Sequence, residues 1–409
     1  MTKVGVIGAG AAGLFAGCFL KRDGISFEIL EKGDRPGRKL LLTGGGRCNI
    51  TNRKTPSKLK AGYHESANFV YRAIDIFSPE DAVSFIENEL GVSLKEEENN
   101  RMFPVSDKAS TIVRALTDYI GEGHIVTGFD CEEIIPSEGS FKVVSSKGEE
   151  RIYDKLIMCT GGAGFPKTGS DGKALGIAER LGHTVAAPVP ALAGVPVAEK
   201  DRAFTSSLAG VSVNAGASLY CESRKKASEE GEVLFTHQGL SGPAIRELSR
   251  EIPRNVESLD GWIELDFTPG RNETELDREL AQEIAARGNA KLTTLISRYV
   301  PSSLAAGIGQ RAGVTDIYAK DSNKNLRKAC VRELKHLGLS VEAPSFEDAY
   351  VTRGGVSVRE IDRENMESRK HKGLFFIGEM VDIDGISGGY NLQAAISEAF
   401  IAVKGICGV

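Results

Sequence analysis

The first thirty-one residues constrain the fold more than any other stretch of the chain. Val4-Gly5-Val6-Ile7 runs into Gly8-Ala9-Gly10-Ala11-Ala12-Gly13, and Phe27-Glu28-Ile29-Leu30 ends in Glu31. An apolar strand, a glycine turn, a helix and a second strand with an acid at its tip spell a dinucleotide-binding βαβ unit. In such a unit Gly8 allows the tight turn, Gly10 lets the backbone approach a pyrophosphate, and Gly13 lets the helix pack closely on the strand. The helix N-terminus, with Ala9, Ala11 and Ala12 around it, offers N–H groups to the phosphates. Glu31 follows Gly13 by 18 positions, near the ~20 expected of the acid that accepts from a ribose 2′-hydroxyl, where a 2′-phosphate would be repelled. Leu14, Phe15, Cys18 and Phe19 give the helix one apolar face for a sheet. This unit alone leaves FAD and NAD both open.

The chain has 409 residues, enough for about two or three domains. With 41% hydrophobic and 26% charged residues it reads as an ordinary soluble globular protein. A formal net charge of -5 offers no broad basic surface, so no nucleic-acid partner is expected, although a local patch can hide inside an acidic total. Arg53, Lys54, Lys58 and Lys60 form one small basic cluster, read as a solvated loop. No apolar run reaches the length of a membrane span, and the first strand begins too early for a signal peptide, so a cytoplasmic protein without a membrane partner is expected. The seven cysteines contain no C-x-x-C pair and the six histidines are scattered, which suits a reducing compartment and argues against a metal site.

Up to about residue 190 strands and helices alternate, with an amphipathic segment from Pro79 to Leu90 and a strand pair around Cys131 to Val144. Leu156-Ile157-Met158-Cys159 reads as a buried parallel strand entering Thr160-Gly161-Gly162. Beyond 190 the period becomes two: Val211, Val213, Ala215, Ala217, Leu219 and Cys221 alternate with polar or small neighbours, as do Ile263, Leu265 and Phe267. That is the texture of an antiparallel barrel or sandwich. Asn272 with Glu275 resembles a capping box, and helices are predicted over 273–286, 290–299 and 322–336. The α/β texture returns with the strand Leu374-Phe375-Phe376-Ile377 and a helix from Asn391 to Lys404, stopped by Gly405. The dinucleotide domain is therefore discontinuous.

Three further glycine-rich segments need a reason: Gly37 to Asn49 with Gly44-Gly45-Gly46, then Thr160-Gly161-Gly162, then Gly378-Glu379 with Gly385 to Asn391. A plain NAD site needs only the first unit, whereas extended FAD must be lined along its length, so several glycine turns favour FAD. Arg38, Lys39 or Arg47 can neutralise phosphate. At these residues, and at Phe235-Thr236-His237-Gln238-Gly239-Leu240-Ser241-Gly242-Pro243, the sequence resembles the aminoacetone oxidase family of FAD-binding proteins. That group also takes in NAD(P)/FAD-dependent oxidoreductases similar to a bile-acid enoyl reductase.

The resemblance covers essentially the whole chain and implies an α/β fold. A glutathione-reductase-type FAD-binding Rossmann domain (1–189 and 358–409) is interrupted by a β-barrel (190–270, returning at 337–357) and a small helical subdomain (271–336). It implies FAD, with NAD(P)H as a transient donor, and sets Lys32, Cys131, Gly378, Glu379, Gly388, Gly389, Asn391 and Leu392 along the cofactor beside the residues above. Glu379 stands where many flavoproteins carry an aspartate that touches the ribityl or pyrophosphate. His237, in a short loop ended by Pro243, and Tyr390 are the candidate catalytic residues. Cys48 has no second thiol before Cys131, so a dithiol mechanism is rejected. The expected activity is hydride transfer between flavin N5 and a small-molecule substrate, which would meet the flavin between the FAD domain and the barrel. It runs either as an amino-ketone oxidase using oxygen or as an NAD(P)H-dependent enoyl reductase. The rival reading is an FAD-binding regulator or a nucleic-acid-associated flavoprotein.

Overall fold

Val4 to Ile7 are all buried, as a strand is only at the centre of a sheet covered on both faces. In the computed structural model, which describes residues 2–253 and 259–408, this strand, β1 (Lys3–Ile7), pairs in parallel with β2 (Ser26–Glu31) on one side and with Lys155–Met158 on the other. Leu374–Phe376 and Ile125–Thr127 complete a five-stranded parallel sheet. The chain divides into two units, residues 1–190 with 349–409 and residues 191–348. The parallel sheet belongs to the first.

Between the two strands runs α1 (Ala11–Arg22), buried continuously from Ala12 to Leu20. It lies so close to β2 that a Cβ on Gly17 would come 2.6 Å from Ile29 Cδ1. On its other side Phe19 meets Phe400 edge-on at 5.4 Å, and Phe400 stacks on Phe77 at 4.4 Å, which docks the C-terminal helix Tyr390–Cys407. Truncating a buried ring such as Phe19 costs ~3–5 kcal/mol, so this aromatic cluster is a main support of the unit. That helix does not stop at Gly405. It runs to Cys407 and is capped by Gly408 at φ +74°, because Gly405 is an interior position where a Cβ would lie 2.6 Å from Asn365 Cβ. The amphipathic segment from Pro79 is helical, but only Pro79–Ser84 is α-helix; Phe85–Glu89 widens into a π-type turn.

The second unit holds a six-stranded antiparallel sheet in the order Val195–Pro196, Gly239–Ser241, Arg224–Phe235, Ser212–Cys221, Gly261–Asp266, Leu337–Ser340. Its two end strands meet: Val197 bridges Val341, and Ala198 N–H donates to Ser340 O at 2.8 Å, which closes the sheet into a barrel. Ala215, Ala217, Leu219, Val233, Phe235, Ile263 and Leu265 fill the inside, as the period-two alternation requires. The helix Glu273–Ala286 carries the full Asn272/Glu275 capping box. The next predicted helix shortens to Leu292–Ile296, and the last is Lys324–Lys335. Ser302–Arg311 is an additional helix. The first unit resumes at Ala349 rather than 358, because Val351–Val356 pairs with Val185–Ala191 in a separate two-stranded sheet.

Candidate cofactor site and family membership

The glycine turn divides its three glycines between packing and open space. A Cβ on Gly8, at φ +107°, would lie 2.7 Å from the Cys159 carbonyl oxygen, and one on Gly13 would lie 1.9 Å from that of Gly8. Gly10 is different. A Cβ there would meet nothing within 4 Å, and Gly10 caps α1 without a side-chain hydrogen bond. The first-turn N–H groups of Ala11 and Ala12 thus border open space at the positive end of a helix dipole, an arrangement suited to a pyrophosphate.

At the tip of β2, Glu31 accepts from Ala9 N–H at 2.8 Å and from Gly33 N–H at 2.7 Å. A carboxylate has about four acceptor sites, so the same side chain that fixes the turn still has lone pairs for ribose hydroxyls. Phe129 N–H donates to the Glu31 carbonyl, bringing the segment before Cys131 across this tip. Cys131 is half-buried, and burial pushes its thiol up to about 12. Lys32 pairs with Asp171 at 3.0 Å.

The second glycine segment is tied to the first, since Gly37 N–H donates to Ala9 O at 2.8 Å. Arg38 then donates to Lys167 O at 2.7 Å. Gly44, Gly45 and Gly46 all have left-handed φ, +57°, +68° and +86°, a run that side chains would strain. Arg47 leaves this loop for an ion cluster with Glu97, Asp107 and, through them, Lys95, lying over the Phe103 ring at 4.2 Å.

Lys39 and Glu379 meet each other. Lys39 Nζ donates to both Glu379 oxygens, at 2.9 and 2.7 Å, and Glu379 also accepts from Thr352 N–H at 2.8 Å. Thr352 in turn accepts from Ala163 N–H and Gly164 N–H through its hydroxyl, at 2.7 and 3.0 Å, fixing the loop after Thr160 and Gly161. Thr160 Oγ1 lies 3.3 Å from Met380 Sδ. Gly378, at φ +69°, abuts the first turn of α1 so closely that a Cβ would lie 2.8 Å from that of Ala12. Three of the separate glycine segments are therefore brought to one place. Gly378 N–H donates to Glu398 at 2.6 Å, and burial pushes that fully enclosed carboxyl up to about 8. Neither Thr352 nor Glu398 carries a sequence signal.

Gly388 and Gly389 lead into the C-terminal helix at φ +101° and +97°, and a Cβ on Gly389 would lie 2.4 Å from the Thr51 carbonyl carbon. Asn391 holds the preceding loop by accepting from Gly385 N–H and donating to Gly385 O, both at 2.8 Å, while Leu392 is half-buried beside it. Asn52 donates to Gly388 O at 3.1 Å, and its own Oδ1 is buried without a partner among the described residues.

The profile of the family described as HI0933-like protein Rossmann domain matches residues 2–405. The chain belongs to that family. This HI0933-like protein is accordingly an FAD-dependent oxidoreductase built on a Rossmann-type FAD-binding domain. It is 28% identical over 409 residues to a 3-dehydro-bile acid delta(4,6)-reductase of Clostridium scindens, with 98% of each chain covered. It is 30% identical over 408 residues to a ribosomal RNA dihydrouridine synthase of Escherichia coli, covering 98% of this chain and 96% of that one. Among solved structures, the 3-ketosteroid delta1-dehydrogenase of Sterolibacterium denitrificans superposes with a TM-score of 0.52 over 100% of both chains at 12% identity, a likeness of fold alone.

The two candidate catalytic residues of the HI0933-like chain have different surroundings. Tyr390 is only 3% exposed; its ring packs on Tyr63 at 5.6 Å and its hydroxyl accepts from Lys54 at 3.2 Å. His237 is exposed at the tip of a barrel turn, with Nδ1 3.4 Å from Ser206 Oγ. Thr236 N–H donates to Gly239 O and Val197 N–H to Gln238 O, so the turn around it is held rigidly. Cys48 is buried at φ +65° and burial pushes its thiol up to about 12. All seven cysteines are unpaired.

Proposed function

We propose that this protein is an ene reductase, adding hydride and a proton across a carbon–carbon double bond conjugated to a carbonyl. The observation that carries the reading is the shared bond type in the names of the two full-length relatives. A dehydro-bile acid delta(4,6)-reductase and a dihydrouridine synthase both name the saturation of such a bond, on otherwise unlike molecules. When bound, FAD would supply the hydride for such a reduction, a nicotinamide dinucleotide being the expected source of its electrons, and a protein group would supply the proton. The protein's own residues hold the cofactor. The α1 N-terminus and Gly10 would take the pyrophosphate, Glu31 the adenosine ribose, and Glu379 with Lys39 the ribityl hydroxyls. His237 is the candidate proton donor, and Tyr390 the candidate second catalytic group.

The substrate to which this reading commits is a uracil ring in an RNA strand, the molecule named by two relatives that are each 30% identical over 408 residues, the ribosomal RNA dihydrouridine synthases of Escherichia coli and Haemophilus influenzae. The test is anaerobic reduction of the bound flavin, followed by mixing with uridine-containing RNA, a conjugated steroid dienone, or an amino-ketone with oxygen. Rapid flavin reoxidation by RNA with dihydrouridine formed supports the reading. Reoxidation by the dienone alone reassigns the substrate. Turnover of the amino-ketone with oxygen alone returns the oxidase activity implied by the sequence resemblance.

A further inference from the structure

The antiparallel hairpin of the barrel carries a feature that flavin chemistry does not use. Tyr220 and Trp262 sit opposite each other on adjacent strands and stack face to face, with ring centroids 4.8 Å apart and planes 2° from parallel. Their neighbours Leu219, Cys221, Gly261 and Ile263 are buried in the barrel, so by alternation both rings stand on the outside, where they remain half-exposed. Across the next strand Tyr220 pairs with Lys225, and Cys221 pairs with Arg224. The hairpin turn between them, Glu222-Ser223, has left-handed φ at both central residues, +52° and +59°, the pattern of a type I′ turn that fixes this register.

Arg224, Lys225 and Lys226 are all exposed, and none makes an ion pair with a described residue. Glu264, two residues along the strand from Trp262, lies 3.4 Å from His336, while Glu222 and Asp260 lie at the hairpin end, where Glu222 N–H donates to Asp260 O at 2.9 Å. On the far side Trp262 is opposite Ser340, and a Cβ on Gly338 would still be 3.9 Å from its ring. Small residues therefore flank the indole on that side, and among the described residues the ring is half-exposed.

We infer that this row, Trp262–Tyr220–Lys225 with the bulged Lys226 beside it, is a docking surface for single-stranded RNA, a base extending the aromatic stack on Trp262 and the backbone phosphates running to the two lysines. The inference rests on the RNA reading of the substrate. An acidic peptide would satisfy the cations but not the half-exposed ring, whereas a nucleotide strand supplies a planar base and an anion in each repeat.

Trp262 is the single tryptophan of the chain, so intrinsic fluorescence reports on this surface. The holoprotein, with flavin oxidised so that no turnover occurs, is titrated with a short oligouridylate while tryptophan emission and the anisotropy of labelled RNA are followed. Quenching on binding is expected, weakened about tenfold or more by Tyr220→Ala. Lys225→Glu, at an exposed position, covers the case in which Tyr220→Ala fails to fold, and should lower the salt slope of log K by about 0.7 for each phosphate no longer neutralised. Binding unchanged in both variants overturns the surface, as does equal quenching by polyglutamate. Quenching in a protein that cannot reduce uracil supports the surface and removes the substrate reading. Uracil reduction without any response at Trp262 or Lys225 does the reverse.

Discussion

Replacing Glu398 by glutamine should remove a large slope from the dependence of stability on pH. Glu398 is 1% exposed on the C-terminal helix. Burial raises its carboxyl from 4.5 to about 8, against a smaller lowering by the hydrogen bond from Gly378 N–H. The native protein therefore keeps a proton, between those two values, that the unfolded chain has lost. The stabilisation is complete below the unfolded value and is lost as pH rises through the folded one, at ~1.4 kcal/mol per pH unit and at most ~5 kcal/mol in all. Against a total stability of ~5–15 kcal/mol that is a dominant dependence. Glutamine keeps the size and can accept from Gly378 N–H, but does not titrate. Urea unfolding of Glu398→Gln and the parent protein, at steps from about pH 5 to about pH 8.5, isolates the group as a difference. The variant should be near the parent in acid and more stable by several kcal/mol above neutrality. A flat difference curve would falsify the assignment of a protonated buried carboxyl.

Gly10→Val should leave the apo protein folded, since a Cβ there meets nothing within 4 Å, yet abolish the flavin absorbance of the purified protein; full FAD occupancy would contradict the pyrophosphate placement. Gly13→Ala should destabilise the apo fold itself by ~1–3 kcal/mol, because α1 must move off the Gly8 carbonyl; an unchanged melting temperature would refute that packing. His237→Ala should lower kcat/KM by ~10²–10⁴-fold with FAD affinity intact if it is the acid–base group. Unchanged turnover on the identified substrate would make it structural.

The βαβ unit, the period-two barrel strands and the Asn272/Glu275 cap were legible because each is written within a few residues. The helix Ser302–Arg311 was not predicted, and it carries two glycines, Gly307 and Gly309, in its interior. In the structure Phe204 and Thr293 press against them, and a Cβ would come within 2.9 and 2.4 Å. Gly405 misled in the opposite way, as a stop signal that is a packing contact. The glycines of the site could be found, but the charges could not be assigned. Lys39 meets Glu379 across 340 residues, and Arg47, expected at phosphate, is engaged by Glu97 and Asp107. Net charge hid the three cations at 224–226, which make no ion pair with a described residue, while the cluster that drew attention is partly spent: Arg53 pairs with Glu80 and Lys54 donates to Tyr390.

The ring closure between Val197 and Val341 has a consequence for how such a chain arises. Because the opening and closing strands of the barrel lie side by side, the segment enters and leaves at one point, and its interior is complete without any strand from the other unit. A module of that shape is a cassette: acquiring it requires only that a surface connection open, and exchanging it leaves the parallel sheet's register untouched. The two units can therefore change independently, the barrel without disturbing the pairing of the parallel sheet.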